Sequence, residues 1–338
     1  MPQKSKKSTT KKKSSKKQSS GSFLSTLLAT MVIVVAILAS YFVYITYLKE
    51  PEGEVVMPDG TAAVHYIDVG QGDATLIIAP TGETMLIDAG ERSDAADYLA
   101  KLKIKTLDYF VITHYDFDHI GGGDDVLELC EVKNVLASDY EPHNKTGKTL
   151  ITLIEEEGAN LIHPDKGDTI SLGEIQFEVL TKALTKDNKH SDENENSIVM
   201  MMTFGENKFL FTGDAEKERE GEIIASYGKK LDADVYKAGH HGADNASSAE
   251  LMSLVTPDYG VFSCGTGNKY DHPRQGAIDR VAKYAKTILR TDLHGDLILT
   301  SDGESIGYKT EKTTAQNPNI GLSILYYAIL PEKAYLAA

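Results

Sequence analysis

The chain has 338 residues, 41% of them apolar and 8% aromatic, which excludes a wholly disordered polypeptide and suits one large domain with appendages. Two cysteines exclude both a disulfide framework and a four-thiolate metal knuckle. The net charge of −15 is uneven: residues 1–50 hold nine Lys and one Glu, and the other 288 carry 26 Lys and Arg against 49 Asp and Glu, too acidic a body for a general nucleic-acid binder.

Eight lysines lie between Lys4 and Lys17, interleaved with Ser, Thr and Gln. Residues 1–22 are therefore predicted to form a basic cytoplasmic tail with too little apolar surface to fold. No charged residue occurs from Gln18 to Leu48. Within that run, residues 23–48 (FLSTLLATMVIVVAILASYFVYITYL) are apolar and long enough to form a transmembrane helix. At ~1.5 Å per residue they measure roughly 39 Å, against a hydrocarbon core of about 30 Å. Tyr41, Tyr44 and Tyr47 gather near the far end, where amphipathic rings favour the interface. A lysine-rich flank stays cytoplasmic, so the expected localisation is the cell membrane, single-pass, with the lipid bilayer bound through residues 23–48 and the body extracytoplasmic. A cleaved signal peptide is the rival reading, but the apolar run continues through Leu48, beyond a usual signal core. Residues 49–60 read as a short polar linker.

The body opens with three β-rich runs, Ala63–Asp68, Ala74–Ala79 and Glu83–Asp88, separated by the turn signals GQG and PTG. A helix is predicted at Ala95–Lys103. Tyr109–Thr113 (YFVIT) is a continuously apolar strand, as expected where both faces are covered. Val126–Cys130 and Leu150–Glu157 read as helices, and Glu174–Leu180, Ser197–Phe204 and Lys208–Thr212 as strands. Ala215–Tyr227 is helical. Further strands are expected at Val235–Ala238, Tyr259–Ser263, Ile288–Arg290, Leu297–Thr300 and Ser305–Tyr308. Pro273 is read as opening a helix with one apolar stripe formed by Ala277, Ile278, Val281, Ala282 and Ala285. Grouped strands followed by alternating strands and helices predict a layered α/β body with two sheets over residues 61–308. Residues 309–338 depart from that rhythm and form a C-terminal extension, whose segment Gly321–Leu330 is too short to span a membrane.

Directly after YFVIT come His114, Asp116, Asp118 and His119, four potential metal ligands within six residues, followed by Gly121, Gly122 and Gly123. In a turn leaving a strand, residues 114, 116 and 118 can face one way while 119 faces a neighbouring volume, so one loop can serve two cations. Asp214 ends a second apolar strand after a glycine, and His240 and His241 end a third between glycines. His272 precedes Pro273, and Asp88 ends the third β-rich run, where it suits a group that orients a ligand. Cys130 and Cys264 read as buried small hydrophobes.

The order LIDAG, THYDFDHIGG, TGD and HHG resembles the metallo-β-lactamase-fold hydrolases. The additions DVGQGDA, ENSIVM, SCGTGNKYDHP and RTDLHGDL resemble one branch, which contains the metal-binding domain of the ComEC competence DNA-uptake channel. The resemblance covers roughly residues 61–308. It implies a four-layer αββα metallo-β-lactamase fold behind the N-terminal helix, with two divalent metal ions between the sheets. Carried over, His114, Asp116 and His241 would hold the first metal. Asp118 and His119 would hold the second, and Asp214 would bridge. Many relatives have a third histidine for the first metal; here Asn196 and Ser197 occupy its place, and Ser247 or Ser248 stands for a serine usual after HHG. A second metal with only three protein ligands leaves room for His272. Seven such ligands with three carboxylates and no thiolate suit Zn or Mn.

Such a pair would acidify a bridging hydroxide for attack on phosphorus or an acyl carbon. Asp118 would orient it, and a group among His240, Lys237 and Tyr270 would offset charge or protonate the leaving group. A small or single-stranded phosphodiester is the expected substrate, since the acidic body argues against a broad nucleic-acid surface. Hydrolysis of an ester, amide or thioester, including a β-lactam, and a non-catalytic surface binding protein are the two other readings.

Overall fold

The structure, a computed structural model, describes residues 20–43 and 60–312. Most of the expected basic tail, the linker up to residue 59, Tyr44, Tyr47 and the segment Gly321–Leu330 lie outside the described residues. The chain divides into two units, Met1–Glu54 and Val55–Ala338. The first contains helix α1 (Ser20–Val43), whose described side chains, residues 27–40, are all exposed and mostly apolar. Those described positions amount to about 21 Å at ~1.5 Å per residue. No helix among the described residues is long and apolar enough to cross a membrane.

The second unit begins with β1 (Ala62–Tyr66), β2 (Thr75–Ile78) and β3 (Thr84–Ile87), then α2 (Asp94–Lys101) and β4 (Thr106–Val111). The short α3 (Phe117–Ile120) and α4 (Gly123–Leu129) lead to β5 (Glu131–Leu136), α5 (Lys145–Glu157) and β6 (Asn160–Ile162). Next come β7 (Thr169–Leu172), β8 (Ile175–Val179), β9 (Met200–Phe204), β10 (Asn207–Phe211), α6 (Lys217–Tyr227) and β11 (Val235–Lys237). Then α7 (Ala249–Val255), β12 (Tyr259–Phe262), α8 (Gln275–Ala282), β13 (Thr287–Arg290) and α9 (Thr291–His294) precede β14 (Leu297–Ser301) and β15 (Ile306–Thr310).

The strands form two sheets, ordered β15-β14-β1-β2-β3-β4-β5-β6 and β13-β12-β11-β10-β9-β8-β7. Alternation along each strand explains the layering. On β3, Leu86 faces a cluster with Leu99, Val126 and Leu150 of α2, α4 and α5. Its neighbours Met85 and Ile87 face a second cluster, shared with Phe209 and Phe211 of β10. Leu210 points the other way, into a third cluster with Ile223, Met252 and Val281 of α6, α7 and α8. Both faces of the central strands are thus dry, which accounts for the continuous apolar runs; each fully buried large side chain contributes about 1.5–3 kcal/mol.

The mixed α/β body with two sheets agrees with the sequence reading, and several details differ. Strands β5, β6 and β7 and helix α7 were not anticipated. The helix expected to open at Pro273 starts at Gln275, with Arg274 as its cap. The folded body also passes residue 308: β15 runs to Thr310, Glu311 N donates to Asp296 O, and Lys312 Nζ lies 3.3 Å from Asp68 Oδ2.

Strands β3 and β4 run parallel, as do β10, β11 and β12. Their carboxyl ends lie at the same end of the two facing sheets, and the chain leaves each of them carrying a polar residue. Asp88 follows β3, His114 follows β4, Asp214 follows β10 and His241 follows β11. Clefts at the carboxyl ends of parallel strands are the usual place for ligand sites in α/β folds.

Candidate metal centre

The loop after β4 runs extended at Asp116 and then turns into the single-turn α3, which carries His119 inward. Its position is set by a neighbouring loop. Asp73 N donates to Asp118 O at 3.1 Å, and Gly72, at φ +146, lies so close that a Cβ there would overlap the Asp118 carbonyl. Gly213, at φ +51, is similarly wedged between Ser197 and Thr113 and turns the chain so that Asp214 enters the cleft. His240 and His241 both adopt left-handed backbone (φ +46 and +51), as does Asp88 (φ +57). Conformations of this kind cost on the order of 1–3 kcal/mol each and cluster at functional sites.

These strained turns bring the side chains together. His119 Nε2 lies 3.1 Å from Asp214 Oδ1, and His241 Nε2 lies 3.3 Å from Asp214 Oδ2 and 3.2 Å from Asp118 Oδ2. His114 Nε2 is 3.7 Å from Asp116 Oδ2, and its ring centroid is 4.2 Å from that of His119. The His272 ring is 5.3 Å from His240 and 6.4 Å from His241. Asp88 lies behind this set: it accepts from Thr113 N and Thr113 Oγ1 at 2.9 and 2.7 Å, and its Oδ2 lies 2.7 Å from His119 Nδ1. The Ser263 carbonyl holds His241 Nδ1 in the same way at 3.1 Å. Each inward-facing Nε2 therefore has its other nitrogen fixed by an acceptor, the arrangement metal-binding histidines use.

Buried polar atoms nearly always find partners. Here His114 Nε2, His119 Nε2, His241 Nε2, His272 Nδ1 and Asp214 Oδ1 are all buried without a well-directed hydrogen bond, the short carboxylate contacts above being poorly aligned for one. The charges are equally telling. Burial disfavours the charged form of every group, yet the Asp214 and Asp88 carboxylates hold His119 well above the usual imidazole range. His241 is pushed up to about 10 against its burial, mainly by Asp214. The same imidazoles pull Asp214 well below the usual carboxylate range despite its burial. His272, by contrast, is lowered to about 4 by burial and by His240 and His241. The cleft attracts positive charge, as protons on the imidazoles or as divalent cations. Nitrogen and oxygen donors in this number fit the two divalent cations that the sequence implies.

Several expected placements differ. His241 was expected with His114 and Asp116; its Nε2 instead faces Asp118 and Asp214, because the left-handed turn at 240–241 aims it toward α3 rather than the strand end. That leaves His114 as the one expected histidine in the His114–Asp116 half. Ser197 lies behind the His114 ring, with its Oγ 3.4 Å from His114 Nδ1 and accepting from Asp214 N at 3.0 Å. Lys237 was expected to face a substrate, yet it is only 3% exposed; its Nζ lies 2.7 Å from Asp73 Oδ2 and donates to Ala238 O. Tyr270 is exposed and stacks on His272 with ring centroids 5.6 Å apart, so it forms a wall of the cleft. Ser247 Oγ meets Tyr236 OH and Ser248 caps α7, so both serve the loop rather than the cations.

Three residues escaped the sequence reading. Asp73 shares the centre: one ligand atom each from Asp73, His119, Asp214 and His241 all lie within 4.8 Å of one another. Its signal was available, as an acid straight after a Gly-x-Gly turn. Glu216 Oε1 lies 2.7 Å from His240 Nδ1. Together with Asp214 it lifts the His240 pKa above the ordinary value although burial opposes it. His143 Nε2 lies 3.4 Å from Asp116 Oδ1 at the rim, and nothing local to that loop announces the contact.

The chain is similar to several known proteins. ComE operon protein 3 of Bacillus subtilis (strain 168) is 28% identical over 283 residues, which cover 78% of this chain and 35% of that protein. Competence protein ComA of Neisseria gonorrhoeae is 29% identical over 267 residues, 78% of this chain and 34% of that protein. The chain thus spans about a third of the length of these curated relatives. Among solved structures, the metallo-beta-lactamase fold protein YhfI from Bacillus subtilis superposes with a TM-score of 0.45 at 11% identity, covering 68% of this chain and 95% of that one. Residues 67–266, more than half of the sequence and the stretch that supplies all of the clustered ligand atoms except those of His272, match the metallo-beta-lactamase superfamily. The chain belongs to the metallo-beta-lactamase superfamily.

Proposed function

We propose that this chain is a metal-dependent hydrolase that cleaves phosphodiester bonds at the centre described above. The observation that carries the reading is the convergence in one cleft of four buried imidazole nitrogens and Asp214 Oδ1, none of which makes a well-directed hydrogen bond although carboxylate oxygens lie 3.1–3.3 Å from two of them. His114 and Asp116 would hold one cation; Asp118, His119 and His241 would hold the other; Asp214 would bridge, and His272 would complete the set. When bound, two such cations supply an acidified water and a clamp for the oxygens of an in-line displacement. A carboxylate-rich set favours hard, oxygen-binding metals, so Mn²⁺ stands beside Zn²⁺ as its occupant.

The chain's own residues carry the remaining steps. Asp118 accepts a hydrogen bond from the attacking water and aims it. His240 has its Nδ1 side held by Glu216 and its Nε2 3.9 Å from Asp214 Oδ2, at the open side of the cleft. It donates its Nε2 proton to the leaving oxygen, and Glu216 offsets the charge of the imidazolium. Tyr270 and His272 limit the width of the mouth, which suits a small or single-stranded phosphodiester. Residues 23–48 would anchor the chain in a lipid bilayer, supported by the apolar exposed side chains Leu27–Leu38 of α1.

The test is turnover by the full-length chain, metal-free and then loaded with Mn²⁺ or Zn²⁺. Cleavage of bis(p-nitrophenyl) phosphate but not of p-nitrophenyl acetate or a chromogenic cephalosporin is expected. The reverse pattern would assign the centre to acyl transfer.

A further inference from the structure

The buried pair Asp73–Lys237 has no place in the ligand set carried over from the family resemblance, yet it touches the centre. Asp73 is 4% exposed and Lys237 3%. An isolated buried ammonium or carboxylate costs several kcal/mol, so the two charges persist only as partners. Asp73 Oδ2 takes Lys237 Nζ at 2.7 Å, whereas Asp73 Oδ1 is buried without any partner. Asp73 also offers an oxygen within 4.8 Å of ligand atoms of His119, Asp214 and His241. Its backbone is pinned to the ligand-bearing loops, by Asp73 N to Asp118 O and by Gly90 N to Asp73 O.

We infer that Asp73 is a further oxygen ligand of the cation held by Asp118, His119, Asp214 and His241, and that Lys237 is the positioning residue that holds its carboxylate in place. This rests on the metal-centre reading above and extends it. With Asp73 included, that subsite offers three carboxylates against two imidazoles, a harder donor set that favours Mn²⁺ over Zn²⁺. Lys237 acts through Asp73 alone: it holds Oδ2, which also lies 4.0 Å from His241 Nδ1, leaves Oδ1 without a protein partner, and offsets the carboxylate's charge in the absence of metal.

The experiment is a titration of the full-length chain with Mn²⁺, reading free Mn²⁺ by electron paramagnetic resonance, and with Zn²⁺ by competition against a chromophoric chelator. Asp73→Asn should weaken the tighter or the weaker of two Mn²⁺ sites by about 10- to 100-fold and Zn²⁺ by clearly less. Because Asp73→Asn strands the Lys237 charge, the double variant Asp73→Asn with Lys237→Met is measured alongside, and the same selective loss is expected in it. Lys237→Met alone should lower the melting temperature of the metal-free protein more than that of the Mn²⁺ form, and Lys237→Arg should restore it; a merely structural lysine would lower both equally. Two wild-type Mn²⁺ affinities in both Asp73→Asn variants overturn this inference and leave the metal centre intact. A wild-type chain that binds no divalent cation overturns both.

Discussion

Asp88→Asn tests whether the cleft is built to hold a cation or only to pair its own charges. Asp88 is 1% exposed, and its two oxygens serve Thr113 N, Thr113 Oγ1 and His119 Nδ1. Asparagine keeps one acceptor oxygen, which Thr113 N retains, and turns an NH₂ group toward Thr113 Oγ1 and His119 Nδ1. To avoid two donors facing each other, His119 must place its proton on Nε2, the nitrogen aimed at the cation. The tautomer that binds metal is thereby disfavoured. Loss of such an orienting carboxylate lowers metal affinity by about 10- to 100-fold, or roughly 1.4–2.7 kcal/mol. The metal-free protein should lose on the order of 1–3 kcal/mol as well, since a buried hydrogen-bonded ion pair is removed. Chelator competition gives the first quantity and urea unfolding in EDTA the second. Wild-type affinity for both cations in a folded Asp88→Asn chain would refute the assignment of His119 as a ligand through Nε2.

Three further outcomes follow from the geometry. Glu216→Gln should reduce kcat by at least about tenfold with metal content unchanged, because His240 loses the carboxylate that supports its charge; steady-state rates and elemental analysis check this together. Gly72→Ala should destabilise the fold by about 1–3 kcal/mol and lower metal occupancy, since the new methyl would displace Asp118; thermal melting with and without Mn²⁺ reads both. His65 is fully buried against Tyr98, and burial lowers its pKa to about 4. Its unfolded form takes up a proton near pH 6.5 whereas the folded form does so only near 4, so stability falls as pH drops through that window. His65→Gln should remove on the order of 2–3 kcal/mol of that acid sensitivity, seen as a smaller difference between urea midpoints at pH 7 and pH 4.5.

Much of this architecture was legible where burial is symmetric. YFVIT, KFLF and VYK read as strands because helices cover one face and the facing sheet the other, which confines polar residues to their ends. Strands β5 and β7 evaded that logic: they alternate exposed Glu131, Lys133, Thr169 and Ser171 with buried neighbours, and β6 is only three residues long. The ligand types were visible because acids and imidazoles at apolar strand ends are unusual. Their grouping was not. His241 joins Asp118 rather than Asp116 through two left-handed residues, and Asp73 enters through a pairing of loops over forty residues apart in sequence. No short-range pattern records such contacts. Lys237 shows the same limit in reverse, since its position beside the histidine pair suggested a role at the leaving group while a buried carboxylate claimed it.

Bound metal per chain in the wild type and in Asp214→Asn is the most direct measure of the whole account, because Asp214 touches both His119 and His241. Elemental analysis after loading with Mn²⁺ or Zn²⁺ and gel filtration is predicted to give close to two ions for the wild type and a loss of at least one for the variant, with its fold retained. A wild type that holds none, or a variant that holds as many, would contradict it.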